Sequence, residues 1–262
     1  MKKALILLLF TFLSIQAQDN KIVATKISFV PTQSKNFVGR DFYGYNYFVD
    51  NEVLSKIKKK EHWEFKNVSL GTLTNIDLNN PLKLVLFYQD FNAVILLDNQ
   101  LSETQRILFL QSEIPINVRA TGIAGLNQLW IYNTLDQQIG LYNYLNNTYK
   151  TISTPFPDTI QYYQTDFNHF YWIDDKNMAF MCNLFGKITN LYKIPDYEWI
   201  EFINEKEFIY SKDHLIYLQD NNQNKKYEIE IVEKTLEKCY YKDQILSIFT
   251  KEGITNYKII TP

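Results

Sequence analysis

Three histidines, His62, His169 and His214, are the only imidazoles in this chain of 262 residues. No two stand at a metal-ligand spacing, and no H-E-x-x-H is present, so zinc hydrolysis has no visible ligand set. Two cysteines, Cys182 and Cys239, are too few to close a cysteine-rich metal site. They are expected as buried small hydrophobes rather than as a disulfide. Asp90, Asp98, Asp174, Asp175 and Asp213 follow apolar runs. Gathered on one rim, such acids would bind Ca²⁺ or work as an acid/base pair. Aspartate also favours turns, because its carboxylate accepts nearby backbone N–H groups, and that plainer role is the expected one. Glu201, Glu205 and Glu207 flank Trp199 and Phe202, and carboxylates beside aromatic rings suit a sugar site, although a solvated hairpin explains them equally well. No nucleophile elbow, dinucleotide fingerprint or P-loop is present, and Gly122 and Gly125 read as turn glycines. No catalytic, metal or cofactor residues are therefore assigned, and no cofactor is expected. The remaining candidates are two aromatic pairs, Tyr162-Tyr163 and Tyr240-Tyr241. Neighbours on a strand point to opposite faces, so one of each pair could present an aromatic ring to a protein partner.

The elements that carry these residues repeat. Leu84–Tyr88, Leu129–Asn133, Phe170–Asp174, Phe208–Lys212 and Ile245–Phe249 align as one apolar strand unit, and Tyr45–Val49 is a looser sixth copy. Each is followed by a polar turn and a second apolar run. The copies lie roughly 37–45 residues apart, the period of propeller blades. Nearly continuous apolar runs such as Leu84–Tyr88 indicate strands covered on both faces. A two-sheet sandwich would share those runs but would not need the regular repeat. The sequence thus predicts an all-β chain: a single β-propeller of about six blades of four antiparallel strands. Pro31 to Arg40 reads as a loop, and the first unit opens with a strand over Phe42 to Val49. The sixth unit is one strand short, while Ile22–Val30 is left over. The N-terminal strand is therefore expected to pair near Tyr257–Ile260 and close the ring, which removes an exposed sheet edge. Tyr and Phe are abundant (19 and 18) while Gly is only 8, so Asn, Asp and Lys must carry the turns.

The ends and the charge bound the compartment and the partners. Met1-Lys2-Lys3 followed by the apolar run Ala4–Leu13 and by Ser14-Ile15-Gln16-Ala17 reads as a cleavable export signal. Residues 1–17 are assigned to a signal peptide and residues 18–262 to the propeller domain. Loss of Lys2 and Lys3 lowers the basic residues from 27 to 25 against 29 acids, which moves the net charge from −2 to −4. That balance gives no electrostatic reason to bind nucleic acid or an anionic membrane. The basic run Lys56-Ile57-Lys58-Lys59-Lys60 is followed by Glu61 and reads as a solvated turn and strand end. No later apolar segment is long enough to insert in a bilayer.

Tyr171-Trp172-Ile173-Asp174 resembles one YWTD-type blade signature, with Ile in place of Thr. The signal ending Ile15-Gln16-Ala17-Gln18, the Asn/Lys/Ile/Tyr-rich composition, and the stretch from Leu70-Gly71-Thr72 to Gln89-Asp90-Phe91-Asn92 resemble exported proteins of Flavobacteriia and other Bacteroidota. Asp158-Thr159-Ile160 resembles the O-glycosylation acceptor of periplasmic proteins in that phylum. A signal-bearing, non-lipidated chain of this size is also similar to the periplasmic plug protein of the type 9 secretion translocon. The resemblance implies a periplasmic location in association with the outer membrane, and an envelope protein such as an outer-membrane translocon as partner. The function expected is a non-enzymatic interaction module. The alternative is a carbohydrate-active propeller enzyme, or a protein that binds carbohydrate or another small ligand.

Overall fold

A computed structural model describes residues 20–34, 36–232 and 235–261. The assigned signal peptide and its cleavage point lie outside the described residues. Two N-terminal strands come first, β1 (Lys21–Val23) and β2 (Thr25–Pro31). Five four-stranded meanders follow, and then a sixth of three strands that β2 completes. Blade one holds β3 (Phe37–Arg40), β4 (Asn46–Asp50), β5 (Val53–Lys58) and β6 (Glu61–Lys66). Blade two holds β7 (Asn75–Asp77), β8 (Leu84–Tyr88), β9 (Ala93–Leu97) and β10 (Glu103–Leu108). Blade three holds β11 (Val118–Ala124), β12 (Gln128–Asn133), β13 (Gln138–Asn143) and β14 (Thr148–Thr151). Blade four holds β15 (Tyr162–Thr165), β16 (His169–Ile173), β17 (Met178–Asn183) and β18 (Ile188–Lys193). Blade five holds β19 (Trp199–Phe202), β20 (Glu207–Lys212), β21 (Leu215–Asp220) and β22 (Lys225–Glu230). Blade six has β23 (Lys238–Lys242), β24 (Ile245–Thr250) and β25 (Gly253–Lys258), with β2 as its outermost strand. The protein is a six-bladed β-propeller.

The closure strand behaves as expected and also does more. β2 pairs antiparallel with β25, from Thr25 opposite Lys258 to Pro31 opposite Gly253. The segment divides at Ala24, and β1 instead adds in parallel to the outer edge of blade five, with Ile22 opposite Ile229. One N-terminal stretch therefore staples the last two blades together. Blade one begins earlier than the sequence pattern indicates. Phe37–Arg40, read as loop, is its innermost strand, while residues 42–45 form a turn that leaves Phe42 exposed.

The apolar periodicity explains the packing. Successive side chains of a strand face opposite neighbours. On β8, Leu84, Leu86 and Tyr88 pack toward blade one, and Val85 and Phe87 pack toward blade three. Each of the six inter-blade interfaces has its own buried apolar cluster. The seam between blades six and one is the smallest, built on Phe37, Phe48, Phe249 and Ile254. Asn and Asp supply much of the left-handed backbone that tight hairpins need. Asn51, Asn92, Asn127, Asn147, Asn177, Asp213, Asn224 and Asp243 all have positive φ.

Candidate functional site

The six innermost strands β3, β7, β11, β15, β19 and β23 surround the central channel. Their first residues gather at one end, the upper face, and their last residues at the other, the lower face. Toward the lower face the channel is laced shut. Asp77 Oδ2 accepts hydrogen bonds from the Ile123 amide (2.7 Å) and the Thr165 hydroxyl (3.2 Å), joining blades two, three and four. Asn79 donates to the Thr165 carbonyl at 2.6 Å and accepts from Lys242 Nζ of blade six at 3.1 Å. Gln164 brackets Phe202 of blade five, accepting from its amide at 2.7 Å and donating to its carbonyl at 2.8 Å. Burial pushes the Asp77 carboxyl upward, against its own hydrogen bonds and Lys242. Gly122 is no turn glycine. It lies within β11, and a Cβ there would land on Thr165 Oγ1 and come within 2.7 Å of Asp77 Oδ2.

Above this lacing the channel widens into a cavity of about 350 Å³. Its wall includes Asn75, Tyr162, Tyr163, Tyr197, Trp199, Glu201, Lys238 and Tyr240. β19 delivers Trp199 and Glu201 by its period of two, while Ile200 and Phe202 on the other face are buried. Glu201 Oε2 accepts the Tyr241 amide at 2.8 Å, which ties blade five to blade six. Its Oε1 has no partner among the described residues. Enclosure pushes the Glu201 carboxyl up to about 8, against the Tyr241 hydrogen bond and Lys242. Tyr163 accepts from Asn75 Nδ2 at 2.8 Å and stacks on Phe170. The Tyr240 ring crosses the closing seam, edge-on to Phe37 and directly over Gly39, where any Cβ would meet it at 2.7 Å.

The four tyrosines chosen from sequence thus belong to inner strands. Tyr162, Tyr163 and Tyr240 line the channel cavity, half-buried, and Tyr241 is buried between blades five and six. None of the four is exposed on the outer surface. Of the three glutamates, only Glu201 reaches the channel; Glu205 sits in an exposed turn and Glu207 starts β20. The turn aspartates act on their own backbone. Asp98 Oδ1 accepts the Gln100 and Ser102 amides, and Asp174 Oδ1 accepts those of Lys176 and Met178. No group of three metal-capable side chains occurs among the described residues. Cys182 and Cys239 are free and buried, and burial pushes both thiols up to about 12. His169 is the first residue of β16 rather than a turn residue, and its ring is held against Asp166 at 3.2 Å. The basic run needs a correction. Lys56 is buried, 3.9 Å from the buried Asp41 and 4.4 Å above the Tyr45 ring, and donates to the Asn99 carbonyl at 2.7 Å.

The lower face carries a second candidate surface, missed by the sequence reading. Leu82, Leu126 and Phe167 sit on the inner hairpin turns of blades two, three and four; Leu145 and Phe185 sit on the outer turns of blades three and four. All five are exposed, Leu126 at 82% and Phe185 at 91%. The turns are tied to one another. The Gly125 amide donates to the Phe167 carbonyl at 2.8 Å. Lys83 Nζ donates to the Tyr144 hydroxyl at 3.0 Å, and that hydroxyl donates to Asn127 Oδ1 at 3.1 Å. Trp130 Nε1 holds the Asp166 carbonyl at 2.8 Å. Leu126 is itself left-handed, with φ 56°.

No family model matches the chain, and no curated protein matches it. Solved structures do. A member of the DUF4221 family from Bacteroides vulgatus superposes with a TM-score of 0.59 at 8% identity, over 93% of this chain and 99% of that one. Virginiamycin B lyase from Staphylococcus aureus gives 0.57 at 12% identity, over 94% and 97%. The β-propeller domain of Cps50 (Swd1) from Myceliophteria thermophila gives 0.56 at 8% identity, over 90% and 100%. At these identities the likeness is one of fold, shared by a lyase and by proteins with no stated chemistry.

Proposed function

We propose that this protein is a non-enzymatic interaction module of the cell envelope, exported to the periplasm, which docks on another envelope protein through the lower face of blades two to four. Its sharpest version is an accessory or plug subunit of an outer-membrane secretion translocon. The observation that supports this reading is the row of exposed apolar tips, Leu82, Leu126, Leu145, Phe167 and Phe185, the first four on turns locked to one another by hydrogen bonds and Phe185 on a hairpin held by Asn183. Apolar side chains on rigid loops lose little conformational freedom on association, which is what a protein interface needs. A leucine at positive φ is conformationally costly where glycine would be free, and Leu126 spends that cost on a side chain in water. On the other side of the balance, the polar groups of the lower channel are engaged in holding blades together and leave no assembled acid, base and nucleophile there.

The test is recovery of partners from native envelopes with tagged wild type and with the double variant Leu126→Asp, Phe185→Asp. Wild type is expected to retain a specific outer-membrane partner that the variant loses, with melting temperatures within about 2 °C of each other, as for exposed positions. Deletion of the gene is expected to leave secretion possible while making the outer membrane leaky to large solutes. A partner retained by the double variant, or no partner above background, overturns the reading.

A further inference from the structure

The upper channel is unlike the lower. There, the polar heads on the wall are not all spent on the fold. Glu201 uses Oε2 for the Tyr241 amide and leaves Oε1 toward the cavity. The Tyr240 and Tyr197 hydroxyls and the Trp199 indole N–H also lack protein partners among the described residues. Asn75 uses its Nδ2 on Tyr163 and keeps its carbonyl oxygen. These heads stand among aromatic rings delivered by blades four, five and six and the loop before β19. We propose that the upper channel is a binding site for a neutral sugar of one or two pyranose rings, with the ring face on Trp199 and the hydroxyls on Glu201, Tyr240 and Asn75.

The chemistry of the wall selects this class. A sugar offers an apolar C–H face to aromatic rings and hydroxyls, each both donor and acceptor, to mixed polar heads. A wholly apolar ligand would strip water from those heads without replacing it. An anion would meet Glu198, Lys242 is already occupied by Asn79 and the Leu78 carbonyl, and burial disfavours the charged form of Lys238. Against a neutral ligand, the raised Glu201 carboxyl stays largely protonated at neutral pH and can both donate and accept. The titratable neighbours around it are Tyr162, Tyr197, Glu198, Lys238, Cys239 and Tyr240, with Asp77 and Lys242 below. The volume falls at the lower end of ordinary ligand pockets, roughly 300–1,000 Å³, which limits the occupant to one ring or a compact pair. The site lies at the opposite end of the channel from the docking turns, so it stands or falls independently of the proposed interaction.

The experiment is saturation-transfer NMR at pH 7 on the mature protein with glucose, galactose, mannose, xylose, N-acetylglucosamine, cellobiose and chitobiose, with tetramethylammonium and inorganic phosphate as contrasting probes. At least one sugar is expected to give saturable transfer to its ring C–H protons. Trp199→Leu is expected to weaken that binding about tenfold or more, and Tyr240→Phe, which keeps the ring over Gly39, several-fold. Glu201→Gln, which keeps the acceptor for the Tyr241 amide, is expected to retain binding but abolish its decline above pH 8. Circular dichroism melts establish that each variant is folded. Failure of every sugar to bind, binding indifferent to both Trp199→Leu and Tyr240→Phe, or channel binding by tetramethylammonium or phosphate in place of sugar overturns the proposal.

Discussion

At the scale of single residues, the channel runs on close approach and on displaced protons. Gly122 is small because Thr165 and Asp77 occupy the space its side chain would need. Gly122→Ala is therefore expected to cost about 1–3 kcal/mol, as overpacking does, and to lower the melting temperature by several degrees. A melt equal to wild type would show that blades two to four can part without loss. Glu201 sets a pH dependence with a definite sign. Its folded carboxyl titrates near 8 against an ordinary 4.5. Between those values the folded state holds a proton that the unfolded chain has released. Stability from this group is therefore fully present below about pH 4.5 and declines as pH rises through 8. The Asp77 carboxyl, also raised by burial, adds in the same direction. Melting temperatures measured from pH 5 to pH 9 are expected to fall, and Glu201→Gln to flatten the fall. A profile that rises over that range would contradict the assignment.

At the scale of elements, β2 is nearly all side chain in water, so its contribution is through the backbone. It covers the edge of β25, and Asn256 continues the join by donating to Ser28 Oγ at 2.9 Å while accepting from Ser247 Oγ. A chain trimmed through Pro31 is expected to lose solubility more than core packing, because it bares an edge strand. Size-exclusion chromatography should then show species larger than those of the full mature chain; an unchanged elution would argue that β25 protects itself. The same contrast explains what could be read in advance. Second and third strands such as β8 and β9, or β12 and β13, are buried on both faces and announce themselves as apolar runs. Most innermost strands, β3, β7, β15 and β19, are only three or four residues long and carry polar channel residues, so their pattern is faintest where the site is. Phe37–Arg40, with a glycine and an arginine in four residues, reads as loop for that reason. Glu201 and Trp199 were visible as an acid beside an aromatic, but Asp77, Asn79, Gln164 and Lys242 act across blades. The 88 residues that separate Asp77 from Thr165 leave no local signal. Lys56, hidden in a basic run, is buried because Asp41 and three aromatic rings surround it, which charge patterning alone does not reveal.

At the scale of the whole molecule, the channel has different chemistry at its two ends, laced shut by hydrogen bonds below and open as a polar-aromatic well above. The two experiments proposed for them are separable, since the rim variants Leu126→Asp and Phe185→Asp leave the well intact and the well variants leave the rim intact. The ring that joins the two ends is completed by contacts between its extremes in sequence. Ser28 meets Asn256 across 228 residues, and Lys21–Val23 waits on Glu228–Glu230. The first residues described are thus among the last to find their place. A chain released early from the ribosome, or clipped before its final strands, would have an N-terminal segment with nothing to pair against and an open seam at Phe37. Such a chain would leave bare the backbone edges that β1 and β2 cover and the apolar seam around Phe37, so the two ends of the chain protect each other.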